Sequence, residues 1–118
     1  MVNRSAMRYK VVLVPFPFDD LSSSKVRPAV CLTEIVGGRR QVVLAFITSV
    51  VPPKLEPTDV LLDPGRADFA RTGLRVRSAL RLHRMVTVST EIILRQLGVL
   101  PPELQAEIQK RLRALFAL

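Results

Sequence analysis

The stretch "GLRVRSALRLHRMVTV", residues 73–88, carries Leu74, Val76, Leu80, Leu82, Val86 and Val88 on even positions and Arg75, Arg77, Arg81 and His83 on odd ones. A repeat of two belongs to a strand with one buried face, because successive side chains leave a pleated backbone on opposite sides. A helix would instead group its apolar residues three and four apart. The stretch predicts one long strand with a basic ridge on its outer face. Two readings of that ridge stand: a solvated face whose charge blocks edge pairing, or a surface for a polyanion.

The segments upstream read the same way. "YKVVLVPF", residues 9–16, is a β-branched and aromatic run closed by Pro15 and Pro17. The polar "DDLSSSK", residues 19–25, joins it to "PAVCLTE", residues 28–34. "GGRR", residues 37–40, then reads as a hairpin tip leading into "QVVLAFIT", residues 41–48. Pro52, Pro53 and Pro57 make the next connection extended, before a short strand near residues 58–62. Downstream, Ser89 or Thr90 can cap a helical turn in "EIILRQ", residues 91–96, before Gly98. Pro102 suits a first helical position, and Leu104, Ile108, Leu112, Leu115 and Phe116 recur at helical spacing. The architecture expected is mainly β: a small antiparallel barrel or curled sheet capped by a C-terminal α-helix.

At 118 residues the chain suits one domain, 1–118. Eighteen Lys and Arg against ten Asp and Glu leave a formal charge of +8, which favours nucleic acid or an acidic protein as partner. Cys31 is the lone cysteine, so the chain can form neither an internal disulfide nor a multi-cysteine metal cage. "MVNRSAMRYK" lacks the apolar core of a signal peptide, and no apolar run is long enough to cross a bilayer. A cytoplasmic protein without membrane contact is expected.

The chemistry begins at "SKVRPAV", residues 24–30, where Arg27 sits in a Ser-rich loop just before a proline that starts a strand. Metal-free cleavage of RNA uses the neighbouring 2′-OH as nucleophile and needs groups that move protons and stabilise a phosphorane-like dianion. A planar, permanently charged guanidinium suits the second task. If the strands flanking "GGRR" are paired, Arg27 falls at the same sheet end as Thr48 and Ser49. Plainer readings stand beside this one: Arg27 against Asp19 or Asp20, Thr48 as a strand threonine, Ser49 as a strand-end cap. Asp19 and Asp20 read as turn formers, with no third carboxylate at ligand spacing, so neither a metal nor a cofactor is expected. His83, the sole histidine, reads as solvated or RNA-facing, and Cys31 as a small buried side chain. Phe16 and Phe18 are candidates for base stacking, while Phe46 and Phe116 read as core.

In this order, "VVLVPFPFDDLSSSKVRPAVCLTE", "VVLAFITS", "TGLRVRSALRLHRMVTV" and a terminal helix resemble the MazF/PemK family of type II toxin–antitoxin toxins, from Val11 to the C-terminus. The resemblance implies an SH3-like barrel that forms a homodimer. It implies a sequence-specific, metal-independent endoribonuclease acting on single-stranded RNA and leaving a 2′,3′-cyclic phosphate and a 5′-hydroxyl. The family's catalytic arginine falls on Arg27 and its catalytic threonine on Thr48. Ser49 and the loop residues Ser22, Ser23, Ser24 and Lys25 fall on positions lining the RNA groove, which an acidic antitoxin segment would also occupy. With the ridge residues Arg75, Arg77, Arg81 and His83 these make up the expected RNA contacts. Arg27 is cast chiefly as stabiliser of the phosphorane charge, with Thr48 orienting the scissile phosphate. Three departures bear on sequence preference: Tyr9-Lys10 replaces a frequent Gly-Asp pair, Val50 a common glutamine and Arg77 a frequent proline. Two rival classes share the fold, a nucleic-acid-binding barrel without catalysis and a gyrase-directed toxin. The second resembles chains with a critical Trp-containing tail, whereas this one has no tryptophan and ends "LFAL".

Overall fold

The computed structural model describes residues 6–15 and 25–118. Among the described residues β1 (Lys10–Pro15), β2 (Val26–Cys31), β3 (Gln41–Thr48), β4 (Asp59–Leu62), β5 (Ser78–Ser89) and β6 (Arg95–Val99) form an antiparallel sheet in the order β4-β5-β3-β2-β1-β6. Helix α1 (Pro102–Leu115) follows. The sheet curls into a half-barrel whose two faces are both apolar. Val11, Val30, Ala45, Ile47, Leu80 and Leu82 pack with Leu104 and Ile108 of α1 on one side. Val12, Val14, Ala29, Cys31, Val42 and Leu44 form the core on the other, closed by Ile92 and Ile93. Burial of both faces explains why β1, β2 and β3 read as continuous apolar runs rather than alternating ones.

The hairpin read from "GGRR" is present. Val36 and Gln41 bridge across it, and Gly37 and Arg40 take left-handed conformations at φ 73° and 52°. Tyr9 is also left-handed, at φ 72°, a backbone state costing an L-residue about 1–2 kcal/mol. A glycine at this position would enter it freely. Here the ring is nearly buried, its hydroxyl accepts from Gln109 Nε2 at 2.8 Å, and the Tyr9 backbone bonds Cys31 and Leu100.

Four expectations need correction. The even series of residues 74–88 does not lie on one strand face. Residues 73–77 are irregular, β5 starts at Ser78, and its apolar residues divide between the two cores. The register explains this: Ala45 pairs with Met85 and Ile47 with Leu80, so Phe46 alone stands against residues 81–84. Three extra residues are an odd number, and a slip of odd length moves every later side chain to the opposite face. Secondly, "EIILRQ" is not one helical turn. A short 3₁₀ turn, Thr90–Ile92, is capped by the Ser89 hydroxyl, and Arg95 opens β6 on the outer edge of β1. Pairing with β1 outweighs local propensity there. Thirdly, Phe116 is 57 % exposed rather than core, because the apolar stripe of α1 outruns the cluster that buries Leu104 and Ile108. Phe46 is half-buried against the second core. Fourthly, Arg27 belongs to β2 rather than to the loop before it.

Burial also sets the chemistry of Cys31. Desolvation pushes its thiol from the ordinary 9.0 up to about 11, with Lys10 acting against the shift and Glu34 with it. Between those values the folded chain keeps a proton that the unfolded chain sheds, so this contribution is intact below pH 9 and is lost as pH rises toward 11. The native protein is expected to resist iodoacetamide at about pH 8, below the ordinary thiol value, and to gain one adduct by mass spectrometry only in denaturant. Labelling of the folded chain at the rate of a free thiol would contradict the burial.

Candidate active site

Pro28 decides where the sheet opens. It has no N–H to give a ladder, and β2 pairs with β3 only from Ala29, opposite Phe46, onward. Toward β1 the pairing continues through Leu13↔Pro28 and Val14↔Arg27 to Pro15↔Val26. Arg27 therefore lies where β2 has lost β3 but kept β1. Thr48 ends β3 opposite Ala79 of β5. Its Oγ1 accepts the Val50 N–H at 3.1 Å, a side-chain turn that bends the chain away from the sheet.

In this gap lies a hollow of about 250 Å³ lined by Arg27, Phe46, Ile47, Thr48, Val50, Arg81 and Arg84. Arg27 and Thr48, far apart in the sequence, thus face one cavity. A second hollow, of about 310 Å³, shares Arg27 and Ile47 with the first and adds Lys25, Ser49, Arg75 and an apolar wall of Val26, Pro28, Leu74 and Val76. Arg27 stands between two cationic compartments, of which the second has the larger apolar wall.

Three guanidinium groups on one small hollow repel each other and create a strong preference for an anion. Among the described residues Asp59 offsets one of them: its Oδ1 accepts from Arg81 Nε at 3.0 Å. Arg81 is thus anchored rather than simply solvated as one member of a ridge. Of the other expected contacts, Lys25, Ser49 and Arg75 line the second hollow. Arg77 and His83 line neither, and His83 Nδ1 is 2.7 Å from Thr58 Oγ1. Ser22, Ser23 and Ser24 lie outside the described residues, as do Asp19, Asp20, Phe16 and Phe18.

Sequence reasoning missed Arg84 and Asp59, and took Val50 only as a departure. A signal for Arg84 existed. It interrupts the even apolar series between Leu82 and Val86, and a charge on the buried parity of a strand marks a bulge. Among the described residues no three His, Cys, Asp or Glu side chains cluster where they could hold a metal ion, and no helix is long and apolar enough to cross a membrane.

A family model described as "PemK-like, MazF-like toxin of type II toxin-antitoxin system" matches residues 7–116. The chain belongs to this family. Similar solved structures agree on the fold of this PemK/MazF-type toxin. The Mycobacterium tuberculosis toxin MazF-mt6 is 22% identical at TM-score 0.69, over 92% of this chain and 97% of that one. A MazE–MazF structure from Deinococcus radiodurans is 17% identical at TM-score 0.72, over 98% and 99%. An endoribonuclease with its cognate antitoxin from a mycobacterial species is 17% identical at TM-score 0.70, over 95% of each chain. At these identities the likeness is one of fold. No curated protein sequence matches the chain.

Proposed function

We propose that this toxin is a metal-independent endoribonuclease that cuts single-stranded RNA in the cytoplasm, works as a homodimer and is silenced by an acidic antitoxin lying in the RNA groove. The observation that carries the reading is the convergence of Arg27 from β2 and Thr48 from β3 on one hollow shared with Arg81 and Arg84. Such a hollow suits a phosphodiester that gains charge during reaction.

In the reaction the 2′-oxygen of the ribose attacks the adjacent phosphorus as the 2′-OH proton departs, and the bond from phosphorus to the 5′-oxygen breaks as that oxygen takes up a proton. The products are a 2′,3′-cyclic phosphate and a 5′-hydroxyl. Arg27 donates to the non-bridging oxygens, where a fork of N–H groups matches the phosphorane geometry. Thr48, its hydroxyl set by the Val50 N–H, orients the scissile phosphate. Lys25, Ser49 and Arg75 hold the strand alongside, in the second hollow. The charge of +8 suits both RNA and an acidic partner competing for the same surface.

The test is a labelled single-stranded RNA of mixed sequence, incubated with the toxin in EDTA. Cleavage to 2′,3′-cyclic phosphate ends is expected, and inhibition once an acidic antitoxin is added. Intact RNA that is nonetheless bound in a salt-sensitive way would replace this reading with a non-catalytic nucleic-acid-binding barrel. Cleavage that appears only when a divalent metal is restored would remove the metal-independent mechanism.

A further inference from the structure

Asp59 opens β4 directly opposite Arg81 of β5. Its side chain is completely buried, whereas that of Arg81 is 24 % exposed. The carboxylate is held from two directions: Oδ1 accepts from Arg81 Nε at 3.0 Å, and Oδ2 accepts the Glu56 backbone N–H at 2.8 Å. An arginine carries five N–H donors in one plane. With Nε–H turned to Asp59, the other four sit on the terminal nitrogens. That same Arg81 lines the hollow of Arg27 and Thr48.

We propose that Asp59 is a positioning residue, which aims the Arg81 guanidinium into the hollow so that it grips an RNA backbone phosphate next to the one held by Arg27 and Thr48. The proposal rests on the RNA-cleaving reading above and deepens it. Two features separate it from an ion pair that merely holds the sheet together. A buried carboxylate paired with arginine is in general no more stabilising than a well-packed apolar pair, so stability alone does not account for this one. In addition, Arg81 and Arg84 bound the bulge in which β5 leaves β3, giving up ladder pairing at the place where these side chains meet the hollow.

The experiment measures binding, by fluorescence anisotropy, of a mixed-sequence single-stranded RNA whose riboses are all 2′-O-methylated, so that no 2′-OH is available for attack. Asp59→Asn is expected to weaken binding about tenfold, the low end of what a hydrogen bond to a charged group contributes. Arg81→Met is expected to weaken it at least as much and to lower the slope of log affinity against log salt by about 0.7, one phosphate contact on a single strand. The decisive comparison is Asp59→Asn within Arg81→Met, where no further loss is expected. An equal loss in both backgrounds, or wild-type affinity in folded Asp59→Asn protein, would overturn the proposal.

If Asp59→Asn or Arg81→Met does not fold, Arg81→Lys decides. Lysine keeps the charge without the planar fork, so a tenfold loss supports the positioning role and wild-type affinity refutes it. Wild-type toxin that binds the methylated strand yet leaves unmodified RNA intact sinks only the cleavage reading, since the affinities still judge Asp59. A wild-type chain that does not bind the methylated strand overturns the positioning role and leaves the cleavage reading to the assay in EDTA.

Discussion

Arg27→Ala is expected to slow cleavage of single-stranded RNA by about 10²–10³-fold, the usual cost of deleting one preorganised donor to a developing oxyanion. Arg27 stands on the wall common to both hollows, so on the proposed reading its fork would meet the phosphate at the junction of two nucleotide positions. Arg81 and Arg84 remain to attract the strand, and the loss should therefore fall on kcat far more than on KM. Arg27→Lys should recover little, because a point charge cannot match two oxygens in one plane. Initial rates on a fluorogenic RNA, with a thermal melt to confirm folding, make the measurement. A folded Arg27→Ala protein that cuts RNA at the wild-type rate would remove Arg27 from the mechanism.

Gly98→Ala is expected to destabilise the fold by about 3 kcal/mol, roughly 10 °C in Tm for a chain of this size. A Cβ at position 98 would lie 2.2 Å from the Arg71 carbonyl oxygen and 2.5 Å from the Thr72 carbonyl carbon, both backbone atoms that no rotamer change can move aside. Gly73 makes the reciprocal approach: it is left-handed at φ 74°, and a Cβ there would stand 2.0 Å from the Leu97 carbonyl oxygen. These two glycines let the 3₁₀ turn Phe69–Thr72 rest directly on β6. From that turn the chain runs into Leu74, Arg75 and Val76, which wall the second hollow. RNA affinity should therefore decline together with stability. Gly38 supplies the control: a Cβ there would meet nothing within 4 Å, and Gly38→Ala should change stability by less than about 0.5 kcal/mol. A Gly98→Ala melt matching that of Gly38→Ala would contradict the close packing of the turn on β6.

The contrast between Arg27 and Arg84 marks what can be read before folding. Arg27 is legible because local chemistry surrounds it: a proline that limits the ladder, a hairpin of two glycines and two arginines, and a strand ending in Thr48. Each is a short-range signal, and together they bring two ends of antiparallel strands to one place. Arg84 is hidden because its orientation depends on how many residues β5 inserts against Phe46, a count fixed by the register of β5 against β3. Asp59 is hidden for the same reason, since nothing near it in sequence announces Arg81.

Periodicity, turn chemistry and charge are properties of neighbouring residues. They suffice for the mainly β class, the hairpin tip, the terminal helix, the cationic character and the placement of Arg27 and Thr48 at one sheet end. Folding in three dimensions added that β6 is a strand, that the even series of β5 changes faces, and that a buried carboxylate holds Arg81. Those outcomes depend on register between strands distant in the chain, where one inserted residue reverses every side chain beyond it.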